Sequence, residues 1–271
     1  MSIKIHLGPA GTPAKSTLEG VSKVKELGLH CMEVQFSHGI NMSIDLAKKI
    51  GKERERVGIE LSVHAPYYIN LASKDPKKVK ESRQRILDSC ERAHHMGAKH
   101  VVFHPAYFGG KDRESIYQVT KEHIMDMMET VKRKNWDVLI SPETTGKHSA
   151  LGSLEETIRL SKETKCSLCV DFAHLFARNY GRIDFAEIFE KLKTLRKKHL
   201  HCHFSGIEYT SKGEKNHMNM NHSPDFRKLV KPLLKQKWLN SVTIISESPI
   251  TWKDSLRMKG ILERMGYRWK E

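Results

Sequence analysis

The segment ELSVH, residues 60–64, is a short apolar run that ends on a histidine, and five later segments repeat this design. They are HVVFH (100–104), VLISPE (138–143), LCVD (168–171), LHCHF (200–204) and TIISE (243–247). Each run is predicted to be a buried strand, because turn residues and an amphipathic stretch follow it. The six segments therefore place a histidine or a carboxylate at or beside the ends of successive strands.

Two further apolar runs bring the predicted strands to eight, and helix-like stretches alternate with them. The strands are predicted at Ile3–Leu7, Met32–Gln35, Glu60–His64, His100–His104, Val138–Ser141, Ser167–Asp171, Leu200–His203 and Val242–Ser246. Eight β-α units in one series are typical of a (β/α)8 TIM barrel, and we predict one such domain over residues 1–271. A doubly wound open sheet is the alternative, but it usually concentrates its chemistry at one switch point.

The composition bounds the class of protein and its partners. The chain has 271 residues, 38% of them hydrophobic and 29% charged, which is the balance of a globular protein. Its start, MSIKIHLGPAG, has no long apolar run, so we expect neither a signal peptide nor a membrane span. Five cysteines, an odd number, favour a reduced, cytoplasmic setting. The net charge of +15 favours a polyanionic partner, with a basic but solvated surface as the alternative.

The residues at the strand ends are predicted to hold metal. Such side chains converge on one face of a barrel, and imidazoles with carboxylates suit zinc, manganese or iron better than calcium. A lone histidine is usually an ordinary polar residue, but several such groups buried together are costly without a cation. Asp171 and His174 lie three residues apart and can serve neighbouring metals. His217, placed at the tip of the long predicted loop 204–223, can close the site from above.

Six segments resemble the endonuclease IV family of apurinic/apyrimidinic (AP) endonucleases, in matching order along the chain. They are HAPYYINLAS (64–73), VVFHPAYF (101–108), ISPETTG (140–146), CVDFAHLFARNYG (169–181), HCHFSG (201–206) and ISESP (245–249). Members of that family are zinc-dependent (β/α)8 barrels with a trinuclear metal cluster, which cut the DNA phosphodiester on the 5′ side of an abasic site. The Asp-x-x-His element and the order of ligands around the barrel are the most specific parts of the resemblance.

The resemblance implies a set of metal ligands with Glu143 at its centre. The implied groups are His64, His104 and Glu143; Glu143, Asp171, His203 and Glu247; and His174 with His217. Glu143 belongs to two groups and is the predicted catalytic residue, because a bridging carboxylate lets two close cations act on one phosphate. The cofactor prediction is two or three zinc ions, with manganese as the alternative.

Two positions depart from the family's pattern. The family has an aspartate two residues before the histidine that matches His217, and this chain has Lys215 there. Either the neighbouring Glu214 takes over as the ligand or the third metal is weak or absent. The family also inserts an arginine into the abasic gap from the loop after the second strand, where this chain has Phe36 as the candidate wedge.

The predicted DNA contacts lie in the loops that follow the strands. Tyr67 and Tyr68 follow His64 directly, in a loop that enters the minor groove in the family, although packing over the barrel mouth is the alternative. Lys74 and Arg178 represent an excess of basic residues in these loops, as a surface that follows phosphates requires. Basic runs at 132–134 and 196–198 precede strands and belong to the opposite face.

The sequence thus predicts a monomeric DNA-repair endonuclease that acts on double-stranded DNA with abasic or otherwise damaged sites. The main alternative is a sugar isomerase or epimerase on a related barrel, which binds one or two divalent ions and needs no DNA surface. A non-catalytic nucleic-acid-binding barrel that has lost its third metal is the other alternative. Metal content and cleavage of an abasic duplex distinguish the three.

Overall fold

The structure, a computed structural model, describes residues 3–269. Residues 1, 2, 270 and 271, which the predicted domain includes, lie outside the described residues. Within the described part, the ring strands are β1 (Lys4–Pro9), β2 (Cys31–Gln35), β3 (Glu60–His64), β4 (His100–Phe103), β6 (Leu139–Pro142), β8 (Cys169–Asp171), β9 (His199–Phe204) and β12 (Ser241–Ser246). Four other strands lie in the connections: β5 (Ala106–Tyr107), β7 (Ala150–Leu151), β10 (Gly206–Thr210) and β11 (Gly213–Met218).

The ring strands form two parallel sheets that close into one barrel. Hydrogen bonds order them as β2-β3-β4-β6 in one sheet and β1-β12-β9-β8 in the other. Single bridges from Ala10 to Glu33 and from Glu143 to Cys169 join the sheet edges. The predicted (β/α)8 barrel is confirmed, and each predicted strand matches an observed one to within two residues at either end.

Helices cover the outside of the barrel. In the described residues they are α1 (Thr17–Glu26), α2 (Ile44–Val57), α3 (Pro76–Met96), α4 (Arg113–Arg133), α5 (Leu154–Thr164), α6 (Phe172–Arg178), α7 (Phe185–Lys193), α8 (Phe226–Leu233) and α9 (Trp252–Arg264). Local sequence sets their ends: Ser153 and Glu156 form a capping box at the start of α5. Gly97, with a φ of 67°, ends α3 because a left-handed residue there lets its N–H reach back to the helix carbonyls.

The apolar core lies between the strands and the helices, while the barrel interior is largely polar. The buried polar side chains that point inward include His6, Glu33, Ser62, His100, Ser141, His201 and Thr243. Contacts across the barrel fix their position, since Glu33 on β2 reaches His201 on β9. TIM barrels usually fill this space with bulky apolar residues. A hydrogen-bonded polar layer therefore lies directly beneath the strand ends.

Two expectations from the sequence concern membrane spans and disulfide bonds. Among residues 3–269, no helix combines the length and apolar character that crossing a membrane requires. All five cysteines are free and buried, and the thiols of Cys166 and Cys169 take no part in a disulfide.

Candidate metal centre

The predicted ligands converge at the C-terminal ends of the ring strands. Their ligand atoms form three groups, each with its atoms within 4.8 Å of one another: His64, His104 and Glu143; Glu143, Asp171, His203 and Glu247; and Asp171, His174, His217 and Glu247. Glu143, Asp171 and Glu247 each belong to two groups. Such sharing is the arrangement expected when neighbouring cations are bridged by carboxylates.

Glu143 lies at the centre of this cluster. It follows β6 directly and is fully buried. Its Oε2 lies 3.2 Å from Nε2 of His64 and 3.0 Å from Nε2 of His104. Its Oε1 lies 3.0 Å from Nδ1 of His203 and 3.4 Å from Nδ1 of His174. Each carboxylate oxygen therefore faces a different pair of imidazoles, as a bridging ligand must.

Asp171 carries the clearest sign that the centre suits a cation. Its Oδ1 caps α6 by accepting the backbone N–H of His174 at 2.6 Å. Its Oδ2 is buried without a hydrogen-bond partner, and burial raises the pKa of the carboxyl to about 6. An orphaned carboxylate oxygen is costly in a protein interior. Here it lies among imidazoles at ligand distances, so the residues present fit a transition metal.

The charges of the centre depend on one another. Burial lowers the pKa of His64, but the hydrogen bond and charge of Glu143 raise it to about 9. Burial likewise opposes the charge of Glu247, yet the pKa of this carboxyl is held well below its usual value, chiefly by His203. Imidazolium protons thus balance the carboxylates. Metal ions compete with those protons, and binding is therefore expected to strengthen as pH rises.

The hairpin of β10 and β11 supplies the third group. His217 lies on β11 and not at a loop tip as predicted; its Nε2 is 3.2 Å from Nε2 of His174, and its Nδ1 is 2.7 Å from Oγ of Ser205. A strand alternates its side chains between two faces, so residues 214 and 217 would ordinarily face opposite ways. The pairing shifts between Glu208 and Tyr209, however, and skips Lys215. This β-bulge turns both Glu214 and His217 towards the centre.

Because of the bulge, Glu214 and not Lys215 faces the candidate metal centre. Oε2 of Glu214 lies 3.4 Å from Nε2 of His174. Lys215 points away, with Nζ 2.8 Å from Oε1 of Glu208 on the hairpin surface. Gly146 makes room, because a Cβ there would come within 2.5 Å of the Glu214 Cβ. Of the two sequence-level alternatives, the geometry favours Glu214 as the ligand.

Alanine substitutions on the hairpin separate these roles. Glu214→Ala is expected to lower bound metal by about one ion per chain, because a ligand is lost. Lys215→Ala is the matched control and should leave the metal content unchanged, since its ammonium faces away. Elemental analysis of both variants measures the effect. Unchanged metal content in folded Glu214→Ala protein would show that Glu214 is no ligand.

Two predicted DNA contacts are corrected by the structure. Phe36 is 5% exposed and packs in the apolar core, so it does not project as a wedge. Arg178 is 7% exposed, and its guanidinium donates hydrogen bonds to the backbone carbonyls of Thr145, Lys147 and Ala150. Its position in a loop-facing helix end suggested an exposed cation, but these carbonyls bind it inside the protein.

Other predicted contacts lie at the surface. Tyr67 and Tyr68 are 52% and 64% exposed beside His64, and Lys74 is also exposed. Six of the candidate ligands line a cavity of about 570 Å³ at the barrel mouth, whose wall also includes Tyr67 and Lys147; the six are His64, His104, His174, Glu214, His217 and Glu247. A larger groove of about 1220 Å³ lies between α7 and α8, but no residue of the ligand set lines it. The convergence of candidate ligands, and not the volume of the cavity, identifies the site.

Sequence analysis missed Glu33. This residue lies in the middle of β2, is fully buried, and contacts His203 at 3.1 Å and His201 at 3.1 Å. The signal was an acidic residue inside the apolar run CMEVQ, at an inward position of an alternating strand. It was overlooked because it lies within the strand and not at its end.

A family model matches the chain over most of its length. Residues 21–261 match the model described as a xylose isomerase-like TIM barrel. The chain belongs to this family. Among its relatives, an uncharacterized protein of Methanocaldococcus jannaschii is 35% identical over 265 residues, 94% of this chain and 95% of that protein. A probable endonuclease 4 of Mycoplasma mobile is 25% identical over 248 residues, 87% of this chain and 85% of that protein.

Solved structures share this fold. Endonuclease IV from Thermus thermophilus superimposes with a TM-score of 0.74 at 19% identity, covering 96% of this chain and 99% of that chain. A D-tagatose 3-epimerase-like protein gives a TM-score of 0.73 at 22% identity, covering 97% and 96%. At these identities the two structures show the fold alone. Together with the relatives, they confirm the resemblance to endonuclease IV.

Proposed function

We propose that this barrel is a zinc-dependent endonuclease of DNA repair, which hydrolyses the phosphodiester 5′ to abasic sites in double-stranded DNA and acts as a monomer. The observation that carries the proposal is the position of Glu143. Its two oxygens join the His64–His104 pair to the group that contains Asp171 and His203. Two cations bridged in this way suit a phosphodiester, whose reaction develops negative charge on several oxygens.

The residues of the centre have different roles in the proposed reaction. The three ligand groups would hold zinc, with manganese as an alternative, and imidazole-rich sets favour zinc. When bound, such ions supply Lewis-acid stabilisation of the phosphate and activation of water. Glu143 holds the two main ligand groups in a fixed relation. Buried Asp171, which also caps α6, ties one of them to a rigid helix start.

The rim of the cavity carries groups suited to DNA. Tyr67 and Tyr68 are exposed rings beside the ligands, and stacking of a base on such a ring contributes roughly 1–3 kcal/mol. Lys147 lines the mouth, and the exposed Lys74 and Lys212 lie in connections that follow strands β3 and β10; we propose that all three contact phosphates. We propose the tyrosines as contacts at the lesion and the lysines as contacts to the backbone.

A sugar epimerase is the second candidate, since the D-tagatose 3-epimerase-like structure shares the fold. An epimerase of this kind needs one or two ions and a closed pocket for a small sugar. Here the His64–His104 pair adds a ligand group, and the exposed tyrosines leave the mouth open. The nuclease accounts for both features.

Salt dependence of DNA binding distinguishes the two candidates. Affinity for a duplex with one abasic site should fall linearly with the logarithm of salt concentration, because bound lysines release counterions. Lys74→Ala should reduce the slope by about one unit. Lys134→Ala, an exposed lysine on the opposite face of the barrel, is the control and should leave the slope unchanged. A flat dependence, with turnover of a ketose, would favour the epimerase.

A further inference from the structure

Glu33 lies one layer below the metal centre, inside the barrel. Its Oε2 accepts hydrogen bonds from Oγ of Ser62 at 2.9 Å and from Nε2 of His201 at 3.1 Å. Its Oε1 accepts from Nε2 of Gln35 at 3.1 Å. Both carboxylate oxygens also lie within 3.2 Å of Nε2 of His203. Side chains of β2, β3 and β9 therefore hold Glu33 in place, and His203 is the ligand of the centre that it contacts.

These contacts fix a proton on Nε2 of His203. Both oxygens of Glu33 face hydrogen-bond donors, from the hydroxyl of Ser62, the amide of Gln35 and the ring of His201, which is the environment of an ionised carboxylate. An ionised carboxylate only accepts hydrogen bonds. Nε2 of His203 must then carry the proton that it donates to Glu33. Its Nδ1 lies 3.0 Å from Oε1 of Glu143, to which it donates its other proton, and this is the proton that a cation at the centre would replace.

We propose that Glu33 is a positioning residue, which holds His203 in the one tautomer and ring orientation that presents Nδ1 to a metal. This role rests on the proposed metal centre and goes beyond it, because Glu33 itself touches no metal position. A carboxylate behind a metal-binding histidine fixes the ring and makes the other nitrogen a better ligand. Glu33 does this from inside the barrel, across from β9.

Of the three histidines farther down the barrel, His201 contacts Glu33, and the geometry of the three does not suit a second metal site. Ligand atoms of His100, His199 and His201 lie within 4.8 Å of one another. The rings of His100 and His201, however, stack with centroids 4.6 Å apart and an interplanar angle of 11°. A metal must lie near the plane of each ring that binds it, and no point lies near both planes of a stacked pair. His201 instead donates its Nε2 proton to Glu33, and Ser141 engages Nδ1 of His100 at 2.9 Å.

The retention of zinc by the protein tests the role of Glu33 in an experiment that needs no DNA. Glu33→Gln is expected to weaken binding of the ion at Asp171, His203 and Glu247 by about 10–100-fold, as measured by zinc transfer to a chromophoric chelator. The ion at His64 and His104 should be retained. Glu60→Gln is the control: Glu60 begins β3 at the opposite end of the barrel, is partly exposed, and contacts Thr243 and His6 and no ligand. Unchanged zinc retention in folded Glu33→Gln protein would overturn the proposal.

The tautomer can be observed in the unaltered protein, so the test does not depend on the folding of a variant. Long-range ¹H–¹⁵N spectra of the zinc-loaded protein with ¹⁵N-labelled histidine should show His203 protonated at Nε2 and bound to metal at Nδ1. Protonation at Nδ1 in loaded protein would overturn the role of Glu33 alone. Protein that binds no zinc at all would overturn the metal centre, and with it the proposed function.

Discussion

Replacing Glu143 by glutamine is expected to slow cleavage of an abasic duplex by about 10²-fold or more. The amide is nearly the same size as the carboxyl but carries no charge. It therefore cannot stabilise two neighbouring cations, and it cannot accept hydrogen bonds at both of its terminal atoms. Affinity for the duplex should persist, because the exposed tyrosines and lysines of the rim are untouched. Single-turnover rates and binding isotherms measure the two quantities separately.

A second variant serves as the control for Glu143→Gln. Glu60→Gln makes the same chemical change at the first residue of β3, at the end of the strand opposite the metal centre, and should cleave at the normal rate. The thermal unfolding of both variants should resemble that of the unaltered protein in its cooperativity. Near-normal turnover by folded Glu143→Gln protein would refute the bridging role.

Removing the metal is expected to have a comparably large effect. Protein prepared without chelators should contain at least two tightly bound transition-metal ions per chain, since two complete ligand groups share Glu143. Exhaustive chelation should reduce cleavage by about 10²-fold or more, and added zinc should restore it. Elemental analysis before and after chelation checks the count. Less than about one ion per chain in untreated protein would contradict the metal centre.

The fold and the convergence of most candidate ligands could be predicted because both depend on local patterns. Each ring strand is a short apolar run, and a residue such as His64 or Asp171 ends the run where the chain turns. Parallel strands in a barrel end on one face, so the ends of separate runs meet there without any knowledge of long-range contacts. The resemblance to endonuclease IV then implied three groups, and the structure brings the residues of each group close together.

The remaining features depend on contacts that no local pattern contains. Glu33 meets His201 across the barrel, although the two are 168 residues apart in sequence. The bulge at Lys215 is a shift in pairing between two strands, and it alone turns Glu214 inward. Phe36 and Arg178 lie in segments that face the mouth, yet local packing and backbone carbonyls draw their side chains inside.

Cleavage of a defined duplex by zinc-loaded protein tests the proposed function most directly. The substrate is a duplex with one abasic site and a label at the 5′ end of the damaged strand, with an undamaged duplex of the same sequence as the control. We expect a single cut immediately 5′ to the abasic site, no cut in the control, and loss of the cut after chelation. An intact abasic duplex after incubation with protein shown to hold two zinc ions would contradict the proposal.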